Sequence, residues 1–204
     1  YIIFQLRLPR ILSSFFSGSI LGCAGVVFQA ALKNPMADPF ILGISSGASF
    51  GVAIALFLGL TPILGFPLSA LIGALCTTLF IVSAAVQRKS SNTTLLLTGV
   101  AVNYILSAAM TLLMFLHREQ YQRILYWTLG SFSTSTYIQV RVVFFTLLCM
   151  IITLSFLHRE MDMLLLDDGS ARAGGLSVQK VRIGLLLLAS LATAMCVSYY
   201  GVIG

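Results

Sequence analysis

The sequence predicts an all-α fold: a polytopic transmembrane helical bundle of about six spans, with short helices in the connections. Three observations predict it. The chain is 58% hydrophobic and 9% charged, with a mean hydropathy of +1.00, whereas soluble domains carry about 25% charged residues. Apolar runs near the ~20 residues that cross a bilayer recur along its whole length. Each run is bounded by a short turn that gathers the Pro, Lys, Arg and Asn residues.

The spans are expected at residues 11–32, 40–60, 64–86, 95–116, 137–157 and 183–201. The first two meet at the turn Lys33-Asn34-Pro35-Met36-Ala37-Asp38-Pro39. Each proline lacks an amide hydrogen and biases the residue before it toward extended geometry. A helix arriving from Gly22 must therefore stop near Lys33, and the next starts only at about Phe40. Asp38 and Pro39 occupy the positions of an N-cap and a first helical residue. Small residues recur at helical spacing in both spans: Gly18 and Gly22, then Gly43, Gly47 and Gly51, with Ser45 and Ser46 beside them. Such faces let helices pack closely in lipid, or line a pathway. Polar groups inside spans are few, chiefly Gln29, Asn103 and Ser107, and as interhelical partners each contributes about 0.6 kcal/mol.

Residues 117–130 read as an interfacial helix, with Tyr126 and Trp127 at the lipid–water boundary. The longest polar insertion, residues 160–178, reads as two short helices. The first holds residues 163–166, an exposed apolar patch that asks for a partner. The second follows a cap around residues 167–170, carries Ala171, Arg172 and Ala173, and ends at Gly174 and Gly175. Placing Lys33 inside puts seven Lys and Arg there (Lys33, Arg88, Lys89, Arg159, Arg172, Lys180, Arg182) and five outside (Arg7, Arg10, Arg118, Arg123, Arg141). That is the direction of the positive-inside rule.

Several function classes drop out. The net charge of +6 is spread over short loops without a basic stripe, so no nucleic acid partner is expected. Cys23, Cys76, Cys149 and Cys196 lie far apart in apolar runs, which gives no metal or disulfide framework. No nucleotide loop, HExxH or GxSxG appears, so neither catalytic residues nor cofactors are expected. His117 and His158 fall on opposite faces of this topology. No Asp, Glu or Lys sits mid-span, which counts against an ion-coupled secondary transporter or channel. A non-transporting membrane subunit stays open. The first residues show no signal peptide and the last four end in an apolar stretch, so the chain reads as an internal piece of a longer protein.

Taken in order, the motifs resemble the FecCD-type permeases, the transmembrane subunits of ABC importers for iron–siderophores, haem and vitamin B12. They are Arg7-Leu8-Pro9-Arg10, the run from Gln29 to Pro39, Leu42-Gly43-Ile44-Ser45-Ser46-Gly47-Ala48, residues 95–101, Tyr126-Trp127-Thr128-Leu129-Gly130-Ser131, residues 166–176 and 201–204. Such permeases have about ten spans of bilayer-crossing length. The resemblance thus implies one partial permease domain over residues 1–204, without the first and last three spans.

It also implies roles. Arg7 and Arg10 would meet acidic residues of an extracytoplasmic substrate-binding protein. Asn34, Pro35, Asp38 and Pro39 would form the inner gate turn, and Gly22, Gly43, Ser46, Gly47 and Asn103 would line the path or pack helices. Asp167, Gly169, Ala171, Arg172, Gly174, Gly175 and Leu176 would be coupling helices seated on a cytoplasmic ATP-binding subunit. The family usually has Gly or Glu where Asp167 and Asp168 stand. The implied protein is no enzyme itself. It pairs with itself or a paralogue in the lipid of the cytoplasmic membrane, and passes an iron chelate or cobalamin as ATP closes the partner subunits.

Overall fold

The computed structural model describes residues 2–60, 65–87, 92–116 and 121–203. Arg88, Lys89, His117, Arg118, Gly204 and the start of the third expected span lie outside the described residues. Among those described, every regular element is helical, and five helical stretches are long and apolar enough to cross a membrane. The helix in the second expected span is shorter than anticipated.

The chain begins as a π-helical turn, Ile2–Arg7, that runs into α1, Leu8–Leu32. Arg7 and Arg10 therefore lie within a continuous helical stretch rather than ahead of a span. Pro9 explains the change of pitch. It has no N–H to offer the carbonyl four residues back, and its ring crowds that carbonyl, so the preceding turn widens.

α1 stops where the sequence placed its end, by a Schellman turn. Lys33 takes a left-handed conformation at φ 51°. Its N–H reaches the Ala30 carbonyl at 3.4 Å, and the Asn34 N–H reaches that of Gln29 at 3.2 Å. Asn34 and Asp38 build the rest of the turn. Asn34 Oδ1 accepts the Met36 N–H at 2.9 Å, and Asp38 Oδ1 accepts those of Phe40 and Ile41 at 2.7 and 3.1 Å.

A short 3-10 turn, Pro39–Leu42, follows, and Gly43 breaks it at φ +75°. Only then does α2 run, Ile44–Phe57. Its 14 residues span about 21 Å, against roughly 30 Å of hydrocarbon. The second expected span, residues 40–60, is thus split by its own glycine.

Next come α3, Gly65–Gln87, α4, Asn92–Leu116, and the interfacial α5, Tyr121–Thr128. α6, Tyr137–Phe156, opens on a capping box in which Thr136 and Gln139 exchange side chain and backbone bonds. Two short helices follow, α7, His158–Leu165, and α8, Asp168–Ala173, before α9, Val178–Tyr200. The first short helix starts earlier than expected and ends before Leu166. Leu164 is buried beneath it while Leu165 and Leu166 stay exposed, so the apolar patch is smaller than its sequence suggested. The last span begins five residues earlier than expected, taking Lys180 and Arg182 into its first turns.

α9 is the centre of the bundle, packed on α1, α2, α3 and α6. Its apolar window is 56% buried, against 6% for α4, which leaves most of its surface outward. Glycine brings α2 and α3 together. A methyl at Gly47 or Gly51 would strike α3 at Gly73, Thr77 or Ser69, and one at Gly73 would strike the Gly47 carbonyl. Gly18 and Gly22 behave otherwise. A methyl at either meets nothing within 4 Å, so the expected small-residue packing belongs to α2 and not to α1 within this chain.

Substitution therefore separates the two glycine groups. Gly73→Val should destabilise the full-length protein by about 1–3 kcal/mol through overpacking. Gly22→Ala should leave stability unchanged or slightly raised, through helix propensity. Thermal unfolding in detergent reads both.

Candidate functional site

Side chain bonds define the two ends of the bundle. At one end, Arg10 Nη2 donates to the Ser133 carbonyl at 3.2 Å, the Tyr137 hydroxyl donates to the Phe4 carbonyl, and the Ser131 N–H bonds the Tyr200 carbonyl at 2.7 Å. Gly130 and Gly201, at φ 65° and 78°, meet there backbone to backbone. A Cβ on Gly201 would strike the Trp127 carbonyl, and one on Gly130 that of Val202. The Trp-Thr-Leu-Gly-Ser and Gly-Val-Ile motifs are thus a single crossing of two loops. Arg7 and Arg10 are both exposed beside this crossing, and Arg10 keeps donors to spare after its bond to Ser133.

At the other end, the turn after α1 meets the connection between α7 and α8. Lys33 Nζ donates to the Leu166 carbonyl at 2.5 Å and to Asp168 Oδ1 at 2.8 Å. The same oxygen accepts Arg182 Nη2 at 3.0 Å. One carboxylate thus joins the turn after α1, the second short helix and the first turns of α9. Asp167 beside it caps α8, its Oδ2 accepting the Ser170 N–H at 2.9 Å. The two aspartates divide the work, one local and one long-range. Hydrogen bonds from Ser170 hold Asp167 below the ordinary value of 3.8. Asp168 is held below it first by the Lys33 bond and then by Arg182, against the opposing effect of desolvation.

Magnitudes show what this node is for. A left-handed backbone costs a residue with a Cβ roughly 1–2 kcal/mol, a cost that glycine escapes. Asp168 is 41% exposed, and exposed ion pairs return only about 0.2–1 kcal/mol. Arg182 also leaves its Nε buried without a hydrogen bond among the described residues. Stability alone favours glycine at position 33, so the lysine serves position.

Next to the node lies an exposed ridge of Asp167, Gly169, Arg172, Ala173, Gly174 and Gly175, standing on a buried Ala171 and a half-buried Leu176. Gly175 closes α8 at φ +88°, and the Leu176 N–H returns to the Ala171 carbonyl at 3.1 Å.

Between the ends, Asn103 of α4 ties three elements together. Its Nδ2 donates to the Phe40 and Ile41 carbonyls at 3.3 and 3.4 Å, and its Oδ1 accepts the Ser46 hydroxyl at 2.5 Å. Gly99, one turn earlier, lets α4 touch the Ile41 carbonyl. Ser46 and Asn103 also line a cavity of about 360 Å³ with Ser45, Ser49, Ser107 and Thr128. Gly43 sits beside Asn103, Gly47 faces α3, and Gly22 lies apart from both. Lys33, Arg182 and Gly99 were not singled out from sequence. The signal for Lys33 was available, since a helix stop before Asn-Pro favours glycine and a lysine stands there. Among the described residues no group of His, Cys, Asp and Glu could hold a metal.

The fold and the distribution of charge define a multi-pass helical membrane protein. In the crossing helices α1, α6 and α9, every charged residue lies within the first five positions, as Arg10, Arg141, Lys180 and Arg182. The chain belongs to the FecCD transport family, whose model matches residues 1–204. It is 36% identical to the ABC transporter permease protein YvrB of Bacillus subtilis, covering 100% of this chain and 59% of that protein. It is 34% identical to the cobalamin import system permease protein BtuC of Halobacterium salinarum, covering 100% of this chain and 55% of that protein. A solved structure described as an inward-facing metal-chelate type ABC transporter superposes with a TM-score of 0.92 at 31% identity, covering 100% of this chain and 65% of that one. The chain thus spans less than two thirds of each of these relatives.

The Asp168 node gives a pH prediction with a definite sign. Its carboxyl is depressed in the fold, so its contribution is complete above the unfolded value and lost as pH falls through the folded one. Amide exchange protection in residues 170–173, corrected for intrinsic rates, should be constant from pH 8 to about pH 5. It should fall, by only a few fold for pairs this exposed, once the pH drops below the ordinary carboxylate value of 3.8.

Proposed function

We propose that the chain is the membrane-spanning permease part of an ABC importer that carries a metal chelate or cobalamin across the cytoplasmic membrane. The observation that carries this reading is the superposition over the whole chain on a metal-chelate type transporter at 31% identity. A shared name among relatives would be weaker support than shared geometry from end to end.

On this reading the permease has no chemistry of its own, and ATP hydrolysis occurs on a separate cytoplasmic subunit. The ridge of Asp167, Gly169, Arg172, Gly174 and Gly175 is the face that subunit grips, with Ala171 and Leu176 rooting it in the bundle. The far end, with Arg7 and Arg10 exposed, receives an acidic surface of an extracytoplasmic binding protein. Cargo passes between two permeases, and α4, with its outward surface, is the helix best placed to face the second copy. The turn held by Asn34, Pro35, Asp38 and Pro39 lies at the inner mouth, below the hydroxyl-lined cavity with Ser46 and Asn103. Nucleotide changes the balance between arrangements only because it binds one of them better. The ion-coupled alternative asks for an ionisable group in mid-membrane, and the charged residues of the crossing helices lie at their ends.

Two experiments test the assignments in the full-length permease assembled with its partners. A cysteine at Ala173 should crosslink to the ATP-binding subunit, with a yield that changes between nucleotide-free and ATP-bound states. No adduct in any state refutes the grip assigned to α8. Arg7→Glu combined with Arg10→Glu should weaken docking of the binding protein by tenfold or more at low salt, about 1.4 kcal/mol. Unchanged affinity refutes the docking role.

A further inference from the structure

We propose that Lys33, Asp168 and Arg182 form an ionic clasp that makes the turn after α1 and the α7–α8 segment move as one body. The inference deepens the permease reading and rests on it for the direction in which the motion is used. The clasp itself rests on geometry alone.

Three observations carry it. The first is reach. Residues 135 positions apart in sequence meet at 2.8 Å, and Lys33 also bonds the Leu166 carbonyl, which is the hinge between α7 and α8. The Lys33 ammonium thus holds both sides of the joint between the two short helices. The second is the left-handed backbone of Lys33. At the end of a Schellman turn glycine adopts this conformation without strain, so the side chain is what the position selects. The third is the shared carboxylate oxygen: Asp168 Oδ1 takes both Lys33 and Arg182. This fixes the short helix to the turn on one side and to α9, the most buried helix, on the other.

A push on α8 therefore has two outlets. Through Arg182 it reaches the central helix. Through Lys33 it reaches the turn that Asn34 and Asp38 keep rigid, and beyond it the Phe40 and Ile41 carbonyls held by Asn103. Lys33 is a positioning residue in this scheme, since it touches neither cargo nor nucleotide.

The test is electron–electron distance measurement in the full-length protein, assembled with its ATP-binding subunit in a background free of native cysteines. Spin labels go at Met36, which is 82% exposed, and at Ala173. The unmodified clasp should give one narrow distance distribution, unchanged between nucleotide-free and ATP-trapped states. Lys33→Gly removes the ammonium while favouring the same turn, so a folding failure does not explain its effect. It should broaden the distribution and make it differ between states, and Lys33→Arg should restore it. Transport per ATP hydrolysed should fall about fivefold or more in Lys33→Gly, at the lower end of ordinary allosteric couplings. Combining Lys33→Gly with Asp168→Asn should add little to that loss. A distribution in Lys33→Gly as narrow and state-independent as in the parent overturns the clasp. If the parent protein shows no ATP-dependent uptake at all, the permease reading fails, and the distance measurement still decides the clasp.

Discussion

A chain with so few polar groups has to hold together in lipid by backbone contact. Lipid tails are as apolar as leucine, so helices gain nothing by hiding leucines from them, and close packing with occasional hydrogen bonds takes over. The glycine contacts meet that constraint at three levels of the bundle. Gly47 and Gly73 join α2 to α3, Gly99 sets α4 on the Ile41 carbonyl, and Gly130 and Gly201 cross the two loops at the end opposite Lys33. Asn103 then adds directional bonds where α4 meets the start of α2. With helix pairs this tightly joined, small displacements pass between them with little loss, because packed interiors are stiff.

Against that stiff bundle the polar ends stand out as a different kind of interface. The end bearing Arg7 and Arg10 is closed by carbonyl-directed bonds and glycine crossings, and leaves cationic groups exposed. The end bearing Asp168 is closed by ion pairs and leaves a capped ridge exposed. Ion pairs there are partly solvated and hold position more than they add stability. A joint of that kind keeps its geometry through small motions while contributing little to the fold.

Much of this was legible in the sequence, and the reason is local chemistry. Pro35 and Pro39 fixed the stop of α1 and the restart after Asp38, because proline acts on its own neighbours. Asp167 announced the cap of α8 and Gly174-Gly175 its end for the same reason. The third to sixth spans were readable from length and apolarity. What the sequence hid was long-range. Nothing local tells Lys33 that Asp168 lies opposite, or distinguishes Gly73, against which α2 rests, from Gly22, which faces open space. The split of the second span at Gly43 was hidden in the same way, since a glycine in an apolar run serves equally as packing surface or as a break. Asp168 stands where the family usually has Gly or Glu, and in the structure its charge is satisfied within the chain.

The central claim is that the two ends face opposite compartments, with the Lys33–Asp168 end toward the cytoplasm. The most direct measurement is labelling of single cysteines by a membrane-impermeant maleimide in intact cells and in inverted vesicles of the full-length protein. The account predicts that a cysteine at Ser133, beside Arg10, labels from outside intact cells. It predicts that one at Ala173 labels only in inverted vesicles. Labelling of position 173 from outside intact cells would contradict it.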